Sequence, residues 1–255
     1  MKFTWEIDHN DIKNVNDFFN LYRGSALVER RNERNLSKNN LDFSRDYIWK
    51  KIVTCLLTTQ QNSSSDSPLA NFCRELPFTL DLKTCSSQSD LQEYIADKLV
   101  NYGGIRRHIT IASELTSNFR KLESTNWEVF DTVILNLNRR ISDPSHLIPL
   151  EREQADYINF DLKGFGHKQS RNLLQMLGLS IYEIPIDSRI IYWLENFGFP
   201  LKISQSALQD KNYYNFIADA IQNLCEQSKV YPCMLDAAIF ENADKGKWTL
   251  ENNIY

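Results

Sequence analysis

The 255-residue sequence predicts an all-α protein. The chain contains only 8 glycines and 7 prolines, whereas β-sandwiches and nucleotide-binding α/β folds use glycine more freely at turns and phosphate loops. Apolar residues recur at helical spacing in several segments, and no segment shows the alternation of a strand ladder. The length allows one large domain or two lobes, and a hydrophobic fraction of 42% is enough for a packed core.

The strongest helical pattern in the first third of the chain lies at 46–57, where apolar pairs recur every four residues. Upstream of it, the alternating charges of 29–34 predict a solvated helix or loop. Downstream, the polar block 58–65 predicts a loop between helices.

Four further helices are predicted before the end of the second third of the chain, at 88–101, 105–119, 126–138 and 151–160. We expect Ser89 or Asp90 to cap the first of these, and Thr125 or Asn126 to cap the third, because short polar side chains satisfy the free amides of a helix start.

A pair of glycines, Gly164 and Gly166, separates the predicted helix 151–160 from a predicted helix at 167–177. The pair predicts a tight hairpin, since glycine lets the backbone turn sharply and lets amides approach a ligand closely. Amides at a helix N-terminus also bind anions. The hairpin is therefore a candidate phosphate site.

Two chemically interesting residues follow the hairpin. Lys168 lies in the first turn of its helix, where the dipole and partial burial both act to lower the pKa of a lysine, and a neutral amine can form a Schiff base. From position alone, a solvated or phosphate-contacting lysine is the simpler interpretation. Asp187 stands at the N-cap of a helix predicted to open at 185–188, and a purely structural cap would explain it equally well.

The two residues together form a recognisable pattern. The segment 162–168, Leu-Lys-Gly-Phe-Gly-His-Lys, is followed nineteen positions after its lysine by the aspartate of Pro-Ile-Asp187. This resembles the helix–hairpin–helix signature of the HhH-GPD DNA glycosylases, Leu-Pro-Gly-Val-Gly-x-Lys followed by a short helix and Val-Asp. The separation is closer to that of the 8-oxoguanine DNA glycosylase branch than to that of the endonuclease III branch. In this resemblance Lys168 falls on the catalytic lysine and Asp187 on the catalytic aspartate.

The resemblance extends over roughly 45–197. Leu-Leu-Thr-Thr-Gln-Gln at 56–61 is similar to the family's Leu-Leu-Ser-Ala-Gln, whose glutamine enters the gap left by the extruded base, so Gln60 is the candidate wedge. The segment 101–107 resembles the Gly-x-x-x-x-Lys/Arg-Ala segment of the same lobe. One departure is Lys163, which stands where the family has proline.

The cysteines bear on cofactors. Five cysteines at wide spacings, without a CxxC pair, predict buried reduced thiols and exclude the iron–sulfur members of the family. The resemblance implies that no cofactor is required beyond a monovalent cation at the hairpin, held by the backbone carbonyls of Phe160, Leu162 and Phe165.

The resemblance implies a fold of two helical lobes: residues 45–182 would form a six-helix bundle ending in the helix–hairpin–helix, and residues 1–44 with 183–255 a second, discontinuous lobe. It also implies a DNA glycosylase with AP-lyase activity, in which Lys168 attacks the sugar C1′, Asp187 assists, and β-elimination nicks the strand. The partner would be double-stranded DNA carrying a damaged or modified base or an abasic site. The residues implied on the DNA-binding face are Gln60, Arg106, Arg107, Lys163, Gly164, Gly166, His167 and Arg171.

Net charge limits how DNA would be held. A formal charge of −4 and a pI near 5.7 exclude a protein that grips nucleic acid by total charge, so contact would depend on local amides and cations. No apolar run spans a bilayer and no secretory signal opens the chain, so we expect a soluble, cytoplasmic protein. We also expect a monomer, although no feature of the sequence indicates the oligomeric state.

Three alternatives share the hairpin. A non-catalytic helix–hairpin–helix DNA-binding module would explain Gly164 and Gly166 but not the spacing of Lys168 and Asp187. A repurposed glycosylase fold that binds a protein partner is the second. A monofunctional glycosylase, in which Asp187 directs water, is the third, and the lysine at 168 argues against it.

Overall fold

The structure is a computed structural model that describes residues 5–138 and 143–255. Within those ranges the regular structure is helical and contains no strand, as the sequence predicts. The helices are α1 (His9–Tyr22), α2 (Ala26–Arg31), α3 (Arg45–Leu57), α4 (Pro68–Arg74), α5 (Leu82–Ser86), α6 (Leu91–Tyr102), α7 (His108–Ser124), α8 (Glu128–Leu137), α9 (Pro144–Asp161), α10 (His167–Met176), α11 (Ser188–Phe197), α12 (Lys211–Ser228) and α13 (Pro232–Ala243). A π-helical turn, Asn32–Leu36, extends α2, and a 3-10 turn, Ala207–Gln209, precedes α12.

Two hydrophobic cores organise these helices. The first is built mainly from α3 to α10, with α3 at its centre, where Trp49 is fully buried and donates its indole N–H to the carbonyl of Leu80 at 2.9 Å. The second is built from α1, α11, α12 and α13. The last residues, Trp248 to Tyr255, pack on the first core, although the sequence places them with the second lobe. The predicted boundary at 182/183 stays a prediction.

Several predicted helix starts are confirmed. Asp90 caps α6 by accepting the amide of Glu93, and Asp187 caps α11. Helix α10 occupies 167–176, one residue shorter than predicted. The polar block after α3 is a loop, and all five cysteines are buried and unpaired.

Other boundaries differ from the prediction. Helix α8 starts at Glu128 behind Trp127, which has a φ of 68° and no side-chain cap, so the expected cap at Thr125 or Asn126 is wrong. Helix α9 starts at Pro144, seven residues before the predicted start, and carries Pro149 in its second turn. A proline normally marks a helix boundary, so Pro149 led to a predicted start two turns too late. Helix α7 starts at His108 rather than 105.

The charged stretch 29–34 is helical but not solvated as predicted. Arg31 and Arg34 are buried, whereas Glu29 and Glu33 face solvent. Arg31 pairs with the buried Asp236 of α13 at 3.0 Å. The stretch therefore has a buried face that carries arginines and an exposed face that carries glutamates.

Helices α10 and α11 are joined by a connection that a buried carboxylate holds in place. Glu151 of α9 accepts the backbone amides of Ile181, Tyr182 and Glu183, each at 2.8 Å, and the hydroxyl of Ser180 at 2.7 Å. Since this one side chain satisfies three backbone donors away from water, the path from α10 to α11 is fixed.

A single helix that could cross a bilayer would be long and apolar throughout, and none of the helices in the described ranges has that character.

We expect Glu151→Ala to lower the free energy of unfolding by about 2–4 kcal/mol, because it leaves three buried amides without an acceptor. Urea denaturation followed by circular dichroism measures this loss. The neighbouring Glu153 is exposed, and its alanine variant should stay within about 0.5 kcal/mol of wild type. Equal losses of unfolding free energy in the two variants would show that the hydrogen bonds to Glu151 do not stabilise the fold.

Candidate functional site

A cleft of about 750 Å³ separates the two cores. Its walls come from the loop after α3, the hairpin before α10, the start of α11, and parts of α12 and α13. Six of the residues that the sequence singles out line it: Gln60, Gly164, Gly166, His167, Lys168 and Asp187. Residues that are 100 positions apart in the chain therefore meet at one place.

The hairpin at the cleft mouth depends on a glycine. Gly164 has a φ of +79°, and a Cβ there would lie 2.6 Å from Oε2 of Glu114 and 2.7 Å from Cδ2 of Leu56. Asn118 of α7 clasps the turn, because its Oδ1 accepts the amide of Lys163 at 2.7 Å and its Nδ2 donates to the carbonyl of Lys163 at 2.9 Å. These hydrogen bonds hold the turn against α7, while Lys163 and Gly164 remain exposed.

Gly166 plays a different part in the same turn. It is the N-cap of α10, has a φ of −92°, and has nothing within 4 Å of the position of an added Cβ. Its backbone is thus ordinary and its surroundings are empty, which leaves the first amides of α10 open to an anion.

Lys168 lies at the second position of α10, half-buried in the cleft wall. Burial lowers the pKa of Lys168, although the nearby Asp187 acts to raise it. Its Nζ lies 3.4 Å from Oε1 of Gln169, a long hydrogen bond. A weakly bound amine with a lowered pKa is suited to nucleophilic attack.

Asp187 has both oxygens engaged. Oδ1 accepts the amides of Arg189 at 2.9 Å and Ile190 at 3.3 Å, which is the N-cap of α11. Oδ2 accepts both Nε of Arg189, at 2.9 Å, and Nη2 of the same side chain. Burial opposes ionisation, but Arg189 and Lys168 outweigh it and hold the pKa of Asp187 below its usual value. The carboxylate is therefore charged and largely neutralised by one guanidinium.

Arg189 was not singled out by the sequence analysis. Its guanidinium carbon lies 3.7 Å from the centroid of the Phe240 ring on α13, so it is stacked on an aromatic surface while it pairs with Asp187. Its position two residues after the N-cap aspartate is the only sequence signal that could have indicated the pairing.

Gln169 is a second residue that the sequence analysis missed. Its buried amide donates to the carbonyl of Cys55 at 2.7 Å and to Oγ1 of Thr59 at 2.6 Å, while its Oε1 faces Lys168. It ties α10 to the end of α3 and to the loop that carries Gln60. No pattern in the sequence pairs it with those partners.

Gln60 is exposed, and its φ of 57° turns it out of the loop after α3. The adjacent Gln61 spans the loop: it donates to the carbonyl of Leu57 and accepts the amide of Arg106 at 2.8 Å. The candidate wedge therefore stands on a loop that is tied at both sides.

The predicted cationic residues are dispersed. Lys163 and Arg106 are exposed near the hairpin and the wedge loop. Arg107 lies 3.9 Å from Glu114, the carboxylate beside Gly164. His167 is half-buried, with its Nδ1 at 3.3 Å from the side chain of Asn159, and burial lowers its pKa.

The placement of Arg171 on the DNA-binding face is wrong. Its side chain is 0% exposed and pairs with the equally buried Glu183, while its guanidinium stacks 4.6 Å from the ring centroid of Tyr214. Glu183 also pairs with Arg152 at 2.7 Å, so two guanidinium groups balance this buried carboxylate. Arg171 holds α10 to the connection before α11 and to α12.

The candidate cation ligands lie where α9 ends. Phe160, whose side chain is 89% exposed, is in the last turn, and Leu162 and Phe165 are in the hairpin. Lys121 donates to the carbonyl of Asp161 at 3.1 Å. In the described residues, no side-chain donor reaches the carbonyls of Phe160, Leu162 or Phe165, and no cluster of three His, Cys, Asp or Glu side chains could hold a metal.

Comparison with known proteins identifies the fold. No protein-family model matches the sequence, and no curated protein matches it. Among solved structures, the 8-oxoguanine DNA glycosylase of Methanocaldococcus jannaschii superposes with a TM-score of 0.66 at 16% identity, over 94% of this chain and 98% of that one.

Two further structures agree. One is the M. jannaschii 8-oxoguanine glycosylase/lyase in complex with 15mer DNA containing 8-oxoguanine, with a TM-score of 0.66 at 16% identity over 91% of this chain and 95% of that one. The other is the 8-oxoguanine DNA glycosylase of Thermotoga maritima, with a TM-score of 0.65 at 17% identity over 92% and 98%. The all-helical fold of this chain is therefore that of these glycosylases.

We expect Gly164→Ala to lower the free energy of unfolding by about 2 kcal/mol, because a positive φ is costly with a Cβ and this one would meet Glu114 and Leu56. Gly166→Ala is the matched control and should lose about 1 kcal/mol or less. Urea denaturation of both variants makes the comparison. A loss for Gly166→Ala that equals that for Gly164→Ala would contradict the assigned backbone roles.

Proposed function

We propose that this chain is a base-excision DNA glycosylase with AP-lyase activity. The observation that carries the proposal is that Lys168 and Asp187 line the same cleft, beside a glycine hairpin with open amides. The solved glycosylases that share the fold, one of them bound to DNA containing 8-oxoguanine, support it.

Duplex DNA would be held through its backbone rather than by total charge. The open amides near Gly164, Gly166 and Lys168 face the cleft and suit a phosphate. Lys163 and Arg106 add exposed positive charge nearby, and Gln60 would fill the gap that the flipped nucleotide leaves. The protein would act as a monomer, and its footprint on DNA would be small and sensitive to salt.

The reaction follows from the chemistry of the amine. Neutral Lys168 attacks C1′ of the flipped nucleotide, a C1′–Nζ bond forms, and the bond from C1′ to the base breaks as the base leaves with a proton. The sugar ring then opens at the C1′–O4′ bond, O4′ takes a proton, and a protonated imine results. Loss of a C2′ proton and departure of the 3′ phosphate oxygen complete β-elimination and nick the strand. Asp187 would stabilise the positive charge that develops at the sugar.

A monovalent cation would fit at the hairpin. The carbonyls of Phe160 and Leu162 are hard oxygen donors at the end of α9, where the helix dipole is negative, and Phe165 adds a third carbonyl from the hairpin. A cation held there would add positive charge beside the phosphate site.

We expect borohydride to trap a covalent adduct between the protein and a duplex carrying an abasic site or 8-oxoguanine. Lys168→Gln should lose the adduct and still bind DNA, because the amine is removed while the hairpin amides remain. Gel electrophoresis of the trapped product measures it. Lys163→Gln, an exposed lysine on the same hairpin, is the control and should form the adduct.

An adduct of full yield in Lys168→Gln would remove that residue from the mechanism. Absence of any adduct with the wild-type protein, together with salt-dependent DNA binding, would favour the non-catalytic DNA-binding module. Asp187→Asn should bind but react slowly, since asparagine caps a helix as well as aspartate does and only the charge is lost. Wild-type turnover in that variant would reduce Asp187 to a cap.

The adduct rate should rise with pH with a midpoint below 10.5, the ordinary pKa of lysine, because burial lowers the pKa of Lys168 and only the neutral amine attacks. Asp187 acts to raise that pKa, so the midpoint in Asp187→Asn should move to lower pH even as the plateau rate falls. Initial rates of trapping between pH 6 and 10, corrected with a protein-free blank, test this. A midpoint that stays fixed in Asp187→Asn would contradict electrostatic coupling between the two residues.

A further inference from the structure

A second, smaller cavity lies next to the cleft, and Arg189 is among the residues that line both. This cavity, of about 20 Å³, is lined by Lys168, Asp187, Asp236, Phe240 and Tyr255 among others, and its volume suits about one water molecule. Thr58, Lys168, Asp187 and Phe240 also line both, so Arg189 is one of five described residues at the junction between the cleft and the small cavity.

The pair formed by Arg189 and Asp187 is at odds with the chemistry proposed for the cleft. A carboxylate stabilises a developing cation through its negative charge, yet here Oδ2 of Asp187 already accepts two guanidinium N–H groups and Oδ1 accepts two backbone amides. With the guanidinium in place, its positive charge offsets part of the negative charge of Asp187 at Lys168. Full use of Asp187 requires that Arg189 leave it.

The structure also shows why Arg189 can leave. Arg189 is a long side chain, 27% exposed, whereas its partner Asp187 is fixed by the helix cap. Two interactions hold the guanidinium, the carboxylate and the stacking on Phe240. A phosphate that enters the cleft offers guanidinium a bidentate partner of equal charge to the carboxylate it leaves.

We propose that Arg189 is a gate: in the free protein it neutralises Asp187 and closes the cavity beside Lys168, and on DNA binding it transfers to a backbone phosphate in the cleft. The transfer frees Oδ2 of Asp187 and joins the two cavities. Arg189 is then a positioning residue that acts through Asp187, and DNA itself supplies the anion that opens the site. The proposal rests on the proposed function, since it requires DNA in this cleft.

Equilibrium binding to a duplex with a tetrahydrofuran abasic analogue tests the gate without any chemical step. If Arg189 meets a phosphate in the complex, Arg189→Gln should reduce the slope of log Kobs against log salt by about 0.9, the value for one phosphate contact. Arg189→Lys keeps a cation and should retain the slope. Lys13→Gln, in an ion pair with Asp17 on α1 and outside both cavities, is the control and should also retain it.

A double-mutant cycle gives a second, independent result. Asp187→Asn releases the guanidinium, so with Arg189 present it should tighten DNA binding about tenfold, while in the Arg189→Gln background the gain should largely disappear. If Arg189 instead stays on Asp187 in the complex, the order of the two gains reverses: Asp187→Asn should tighten binding more in the Arg189→Gln background than with Arg189 present. The reason is that the unneutralised carboxylate of the Arg189→Gln protein repels DNA most.

The outcomes separate the two proposals. An unchanged salt slope in Arg189→Gln, or the reversed order in the cycle, overturns the gate even if the borohydride adduct forms. A reduced slope and the expected order support the gate even if no adduct forms and the lyase proposal fails. A wild-type protein that does not bind the duplex overturns both.

Discussion

The buried carboxylate of Glu151 is the constraint on which the site depends. Lys168 sits on α10 and Asp187 starts α11, and the connection between these helices has no regular structure of its own. Three backbone amides of that connection end on one carboxylate, and Glu183 within it is clamped by Arg171 from the inner side. Because buried donors and charges must be matched, the connection has one low-energy path, and that path sets the distance across the cleft.

The helical character and the hairpin could be predicted from the sequence because both are local. Apolar periodicity predicts α3, α10 and α11. The caps Asp90 and Asp187 could be predicted because aspartate is a favoured N-cap residue and each stands directly before its helix. The first turns of α9 could not be predicted, because Pro149 lies within them and a proline normally marks a helix boundary. A left-handed N-cap such as Trp127 is equally invisible, since the conformation is imposed by the burial of its ring.

The positions of Lys168 and Asp187 in the candidate site could be predicted from the sequence, whereas the charged and aromatic side chains around them could not. Arg171 and Arg189 are the same residue type near the same motif, yet one is sealed in a buried ion pair and the other lines the cleft. The difference depends on Glu183, Phe240 and Tyr214, which only the tertiary fold brings to them. Spacing indicates a candidate nucleophile and a candidate carboxylate, but the charges that surround them depend on the tertiary fold.

The amide of Gln169 has a consequence for how a duplex would be searched. It joins the loop of Gln60 to the helix of Lys168, so the proposed wedge and the proposed nucleophile are tied together by the fold itself. The conformational entropy of bringing them together is lost when the protein folds, so little further entropy would be lost on binding DNA. If the protein binds DNA as we propose, a site preformed in this way would favour positions at which the double helix already bends easily.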